Sequence, residues 1–229
     1  MKNQSKTSSI SQNTNVLEAL NDVLKLRRER FWTITLMLIV IFATTLYGTL
    51  RNPFINTFSK IGNYFGYRVL YIIWAITVSI CIYISSILLF KLTDYSKKMG
   101  SLGLLFASFF LIVTAIIPSI KEQLPFWYIL HKWTTFFYVM SMITALHPFF
   151  VWLGRKIPRL KVLLRNWQLF ILIGSITSLL IQGQTGIFEL WFFWGLGTLM
   201  IYLFWILFTE KIEEAEQHEH ITEKEKNRS

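Results

Sequence analysis

Ionisable side chains inside apolar stretches are the residues of this sequence with chemistry to offer, because lipid makes each of them expensive to keep. They are few. Arg68 opens one apolar stretch, His131 and Lys132 lie about a turn inside another, and Glu189 opens a third. Gln182 and Gln184 flank the end of a fourth, and Lys121 and Glu122 follow Pro118. From His131 onward, Thr134, Thr135, Tyr138, Ser141 and Met142 recur at helical spacing. Such a face is expected to point into a helix bundle, since lipid would strand its hydroxyls and imidazole. Arg68, His131, Lys132, Thr135, Tyr138 and Glu189 are therefore a candidate polar pocket. A neutral imidazole there can exchange a proton or, beside Arg68, bind a headgroup phosphate. Glu189 can instead pair with Arg68 or Lys132 and neutralise it. Mutual satisfaction that only fixes helix packing is the competing reading, and both stay open.

Other chemistries lack their parts. Asp22 and Asp94 are the only aspartates, and neither lies in an apolar stretch. No carboxylate cluster is present for magnesium-dependent phosphotransfer, no Ser/His/Asp set and no HExxH pair for zinc. His131 and His147 share one stretch, sixteen residues apart, which is about 24 Å along a helix. They project to nearly opposite faces, so one haem cannot take both. Cys81 is the single cysteine, which excludes a disulfide framework and a cysteine metal site. His218 and His220, among glutamates, read as a solvated helix end rather than a metal site. No catalytic residue, metal or cofactor is expected.

The elements that must position these groups are apolar spans. The chain has 229 residues, 53% hydrophobic and only 16% charged, where a soluble domain carries roughly a quarter charged residues. Spans fall at 31–50, 67–90, 102–120, 127–153, 163–182 and 187–209. Each must be helical, because hydrocarbon offers an open backbone no partner, and about 20 residues match a ~30 Å core. The fourth, with 27 residues, should tilt or protrude. The expected fold is all-α, a polytopic transmembrane bundle of six helices over 31–209, with an arm at 1–30 and a charged tail at 210–229. The longest loop, 51–66, is too short for an extramembrane domain.

In the arm, Ser- and Asn-rich residues 1–13 read as disordered. Thr14-Asn15 can then cap a helix with Val16, Leu20, Val23 and Leu24 on one face, either interfacial or a plain extension of the first span. A cleaved signal peptide is not expected. Gly174, Ser175, Ser178 and Gly195 suggest close helix packing. Trp127, Trp133, Trp152 and Trp191 suggest interfacial anchors, and Pro148 suggests a kink.

The net charge of +10 invites a nucleic-acid reading, but the distribution argues for topology. Eighteen Lys and Arg fall on the side of the arm, the tail and the loops after spans two and four, against five on the other side, Arg51, Lys60, Arg68, Lys121 and Lys132. That split puts both termini in the cytoplasm, with the cations against anionic headgroups. Usage rich in lysine and isoleucine suggests a bacterium, hence the plasma membrane.

Three short motifs carry a resemblance. Ser59-Lys60-Ile61-Gly62 precedes span two, Pro118 stands in Ile-Ile-Pro-Ser at the end of span three, and His131 stands in Leu-His-Lys-Trp at the opening of span four. This layout resembles bacterial relatives of the Frag/DRAM/Sfk-type six-helix membrane proteins, over residues 31–209. The family's acidic residue soon after the proline is replaced by Ser119, with Glu122 later. The resemblance implies a six-helix protein without an established catalytic centre, its eukaryotic members linked to lipid remodelling, phospholipid distribution or autophagy. The expected function is a non-enzymatic membrane protein that binds or organises lipid, or regulates a partner in the membrane. Its partners would be membrane lipids or another membrane protein, not nucleic acid. A small-solute permease or channel using the polar face of the fourth helix, and a lipid-headgroup-modifying enzyme with His131 as general base, stand as alternatives.

Overall fold

A computed structural model describes the backbone of residues 4–96, 98–182 and 185–226, and the side chains of most residues from 20 to 217. His218, His220 and the side chains of Gln182 and Gln184 lie outside the described residues. Among those described the chain is all-helical, with α1 (Gln4–Gly48), α2 (Phe58–Tyr64), α3 (Arg68–Leu92), α4 (Lys98–Ile116), α5 (Pro125–Lys156), α6 (Pro158–Gln182) and α7 (Gly186–Lys226). Five segments are long and apolar enough to cross a membrane, Leu20–Gly48, Arg68–Leu92, Lys98–Ile116, Pro125–Lys156 and Gly186–Gln217. They make this an integral membrane protein by length and composition. The expected span at 163–182 lies within α6, a helix of 25 residues. The side chains at the end of that helix, 179 and 181–182, lie outside the described residues.

The helix boundaries follow from the punctuation of the chain. No glycine or proline occurs between Gln4 and Tyr47, so α1 runs unbroken to Gly48. Two expectations are corrected: residues 4–13 are helical rather than disordered, and Thr14-Asn15 starts nothing. The tail is likewise continuous with its span, α7 running to Lys226. Pro125 and Pro158 stand at the starts of α5 and α6, where the missing N–H costs no helical bond. Pro148 lies inside α5, which continues past it. The loop 51–66 holds a helix the spacing did not announce. Thr57 caps α2, its hydroxyl accepting from the Lys60 N–H at 3.1 Å, and the chain leaves through Gly66 at φ +79°.

Two compact units divide the chain, Leu36–Ile201 and a second made of Met1–Thr35 with Tyr202–Ser229. Within Leu36–Ile201 the helices close a ring in chain order, each step marked by small residues or shared hydrogen bonds. Gly103 of α4 faces Ala145 of α5, Gly154 of α5 faces Lys161 of α6, and Gly174 and Gly195 bring Trp191 and Ile171 between α6 and α7. Gly197 of α7 faces Ile41 of α1. Trp74 of α3 donates to the Thr44 hydroxyl of α1 at 3.2 Å, and Ser79 of α3 and Ser108 of α4 bond each other's carbonyls at 3.4 Å. Inside the ring, Trp74 meets Phe193 at 5.3 Å between centroids, and Phe193 stacks on Tyr138 at 6.4 Å.

In the other unit, Arg27 pairs with Glu216 at 2.7 Å. Arg30 donates to the Thr209 hydroxyl at 3.2 Å and lies over the Trp205 ring. Val23, Thr33, Leu203, Phe204, Leu207 and Phe208 are buried.

Candidate functional site

The candidate residues separate into two groups at the end of the Leu36–Ile201 unit that carries α2. The first group closes α4. A helix leaves its last four carbonyls without intrahelical donors, and in lipid each open carbonyl costs several kcal/mol. Pro118 lies just past α4 and has no N–H, so it cannot serve the Thr114 carbonyl four residues back. His131, buried on α5, does so instead, its Nδ1 lying 3.0 Å from Thr114 O. A carbonyl only accepts, so Nδ1 carries the hydrogen. The Val113 carbonyl accepts from the Ile117 N–H at 3.0 Å. The Ile116 carbonyl accepts from Arg68 Nη2 at 2.6 Å, while Arg68 Nη1 donates to Asn63 Oδ1 at 3.2 Å. A guanidinium there also faces the negative end of the α4 dipole.

The second group joins the loop before α2 to the start of α7. The first N–H groups of α7 are orphan donors, and the loop supplies acceptors. Gly186 N–H donates to Asn56 O at 3.0 Å and Ile187 N–H to Pro53 O at 3.1 Å. Glu189, in the first turn of α7, accepts from the Phe58 N–H at 2.6 Å. One carboxylate thus complements two helix starts, its own and that of α2. Below it the aromatic rings of Tyr47, Phe58, Tyr71 and Trp74 pack at 4.9–5.7 Å, and the Tyr47 hydroxyl donates to Phe58 O at 2.9 Å.

Arg68 and His131 are therefore brought together through the end of α4, whereas Glu189 pairs with backbone rather than with Arg68 or Lys132. The polar face of α5 splits. His131, Thr134, Tyr138 and Met142 are buried, while Lys132 and Thr135 are exposed. Lys132 lies over the Tyr128 ring at 4.8 Å, and the hydroxyls of Thr134 and Thr135 both bond the His131 carbonyl. The hydroxyls of Tyr138 and Thr114 are buried without a hydrogen-bond partner among the described residues. Ser59 bonds the Thr57 hydroxyl at 3.1 Å. Gly62 faces Tyr71 so closely that a Cβ would stand 3.0 Å from Tyr71 Cβ, which is why α2 needs a glycine there. Glu122 accepts from the Tyr64 hydroxyl at 2.7 Å.

Three partners escaped the sequence reading. Asn63 and the backbone N–H of Phe58 belong to the loop 51–66, where a cap at Thr57 ahead of an amphipathic turn is the signal that could have placed α2. At the opposite end of α3, Lys156 donates to Thr93 O at 2.6 Å, a contact between helix termini that spacing does not encode. No group of three or more metal-binding side chains is present among the described residues. Comparison of the chain with protein-family models, curated proteins and solved structures gives no match.

Proposed function

We propose that the chain is a six-span plasma-membrane protein with both termini in the cytoplasm, which binds or organises lipid or regulates a membrane partner without catalysis. We further infer kinship with the six-helix family that Ser59, Gly62, Pro118 and His131 resemble. The supporting observation is what the polar residues already do. Arg68, His131 and Glu189 are committed to backbone groups that helix ends leave open. A histidine holding Thr114 O is engaged in architecture rather than waiting for a substrate proton. Trp74, Phe193 and Tyr138 occupy the inside of the ring, where a solute path along α5 would run. The sixth span is supported by α6, whose 25 residues pack between α5 and α7. The orientation is supported by the eighteen-to-five division of Lys and Arg.

The permease reading keeps one observation in its favour, the unpartnered hydroxyls of Tyr138 and Thr114. One reconstitution separates the readings. The protein is placed in vesicles of phosphatidylethanolamine and phosphatidylglycerol, and three quantities are followed: lipid retained on release for native mass spectrometry, efflux of trapped small solutes, and the masses of the vesicle lipids. Retained lipid, efflux equal to empty vesicles and unchanged lipid masses are expected. Efflux above the empty-vesicle rate would establish the permease, and a new lipid mass would establish the enzyme.

A further inference from the structure

We propose that Asn21, Lys25 and Arg28 on α1 form a seat for the phosphate of an anionic phospholipid headgroup; this rests on the lipid-binding reading and names the lipid class. Positions 21, 25 and 28 share one helical face with Leu24, and these four exposed side chains border one open surface recess. The neighbouring cations are committed elsewhere, Arg27 to Glu216 and Arg30 to Thr209 and the Trp205 ring. Lys25 and Arg28 are exposed, and neither has a partner among the described residues.

The surroundings identify the medium. Leu20 and Leu24 precede Arg28 on its own side of the helix and are about half exposed, while Phe31 and Trp32 follow it, 63% and 57% exposed. A cation bracketed by open leucine and aromatic side chains is out of place in bulk water. At the boundary of a bilayer the same pattern is favourable, because the apolar groups lie against lipid and the long basic side chains reach back to the phosphates. Phe31 begins the apolar run of the first span, three residues past Arg28. Chemically, the guanidinium fork matches two phosphate oxygens, the ammonium adds a point charge, and the Asn21 amide offers a further donor. Two cations against one phosphate favour a headgroup without its own ammonium, such as phosphatidylglycerol, over choline or ethanolamine lipids.

The test uses the full chain in detergent, titrated with phosphatidylglycerol or phosphatidylcholine and read by native mass spectrometry, with inorganic phosphate as competitor. Wild type should retain phosphatidylglycerol in preference. The Lys25→Gln/Arg28→Gln double variant should bind it about 30-fold more weakly, two cations' worth of attraction to an anionic lipid. Arg155→Gln, at the end of α5, serves as a charge control and should match wild type. Both substituted side chains are exposed, and an unchanged melting temperature verifies the fold. Equal retention by wild type and the double variant would overturn the seat while leaving lipid binding intact. Displacement by millimolar inorganic phosphate would show a free-phosphate site and overturn the lipid assignment. Wild type that retains no lipid would overturn both the seat and the reading it rests on.

Discussion

His131 supplies the hydrogen-bond donor that Pro118 lacks: the Thr114 carbonyl, four residues before the proline, accepts from His131 Nδ1 at 3.0 Å. A proline at the end of one span and a histidine at the opening of the next are thus two halves of one device. The proline stops α4, and the histidine closes the carbonyl the stop leaves open. The coupling is measurable as a double-mutant cycle. His131→Phe in the wild-type background should cost about 1–3 kcal/mol, the penalty of a buried acceptor without a donor. In a Pro118→Ala background, where residue 118 regains its N–H, the same substitution should cost less by about 1 kcal/mol or more. Equal costs in both backgrounds, by reversible unfolding in mixed micelles, would show the two residues to be independent.

The junction of α2 and α7 makes a second prediction. Glu189 is needed there as an acceptor for the Phe58 N–H, so Glu189→Gln should leave the melting temperature near wild type. Glu189→Leu should destabilise by about 1–3 kcal/mol through the orphaned donor. Gly186 tests the same junction by shape, because a Cβ there would stand 2.6 Å from the Asn56 carbonyl. Gly186→Ala should therefore cost about 1–3 kcal/mol by forcing the two backbones apart. A melting temperature for Gly186→Ala equal to wild type would show that the loop is not held against α7.

These contacts also show how far the sequence could be read. The apolar spans were legible because burial in lipid demands long uncharged helices. Helices α5 and α7 contain the spans expected of them, α3 starts one residue inside its span, and α4 stops at Ile116, four residues short of the expected end at 120. His131 and Arg68 stood out because a polar side chain in an apolar run must have a reason. Their partners were invisible, since Thr114 O and Ile116 O are backbone groups that every residue type provides. The same holds for Glu189, whose partner is an N–H of a loop helix rather than the cations that charge matching suggested. Thr135 was misplaced for a geometric reason: a helix advances about 100° per residue, so Thr134 and Thr135 occupy different sides and only the first is buried. The continuation of α1 back to Gln4 was obscured by its serines and asparagines, which disfavour helix individually without interrupting one already propagating.

Proton binding should be visible at Tyr64 and Glu122. The hydrogen bond from the Tyr64 hydroxyl holds the Glu122 carboxyl below its ordinary range, and the same bond raises the Tyr64 phenol above its own. Glu122 binds its proton less readily folded than unfolded, so the contact contributes above the ordinary carboxylate pKa and is lost as pH falls through the lowered value. At the alkaline end it is lost as pH rises through the raised value of the phenol. Tyr64→Phe should shift the Glu122 titration upward, read from the carboxyl carbon resonance of labelled protein in micelles. An unmoved midpoint would show that the bond does not form in solution. Both groups are exposed, so the melting temperature should barely respond.

Asp94 offers the sharpest test of backbone conformation. It sits just past α3 at φ +60°, a region that costs an ordinary L-residue about 1–2 kcal/mol. The chain turns there in a Schellman closure: Tyr95 N–H donates to Phe90 O at 2.8 Å and Asp94 N–H to Lys91 O at 3.2 Å. The Tyr95 and Phe90 rings pack across it at 4.9 Å. Glycine is the usual residue at such a position; aspartate keeps it here with a 3.5 Å ion pair to Lys156 as compensation. That pair is largely exposed and worth about 0–1 kcal/mol. Asp94→Gly trades the pair for relief of the left-handed backbone and should leave stability unchanged or raised by up to about 1 kcal/mol. Asp94→Val, which loses the pair and adds a β-branch to the strained position, should cost about 1–3 kcal/mol. Melting curves of the three proteins in one detergent decide the point. If glycine and valine destabilise equally, the ion pair holds this corner and the backbone is not its constraint.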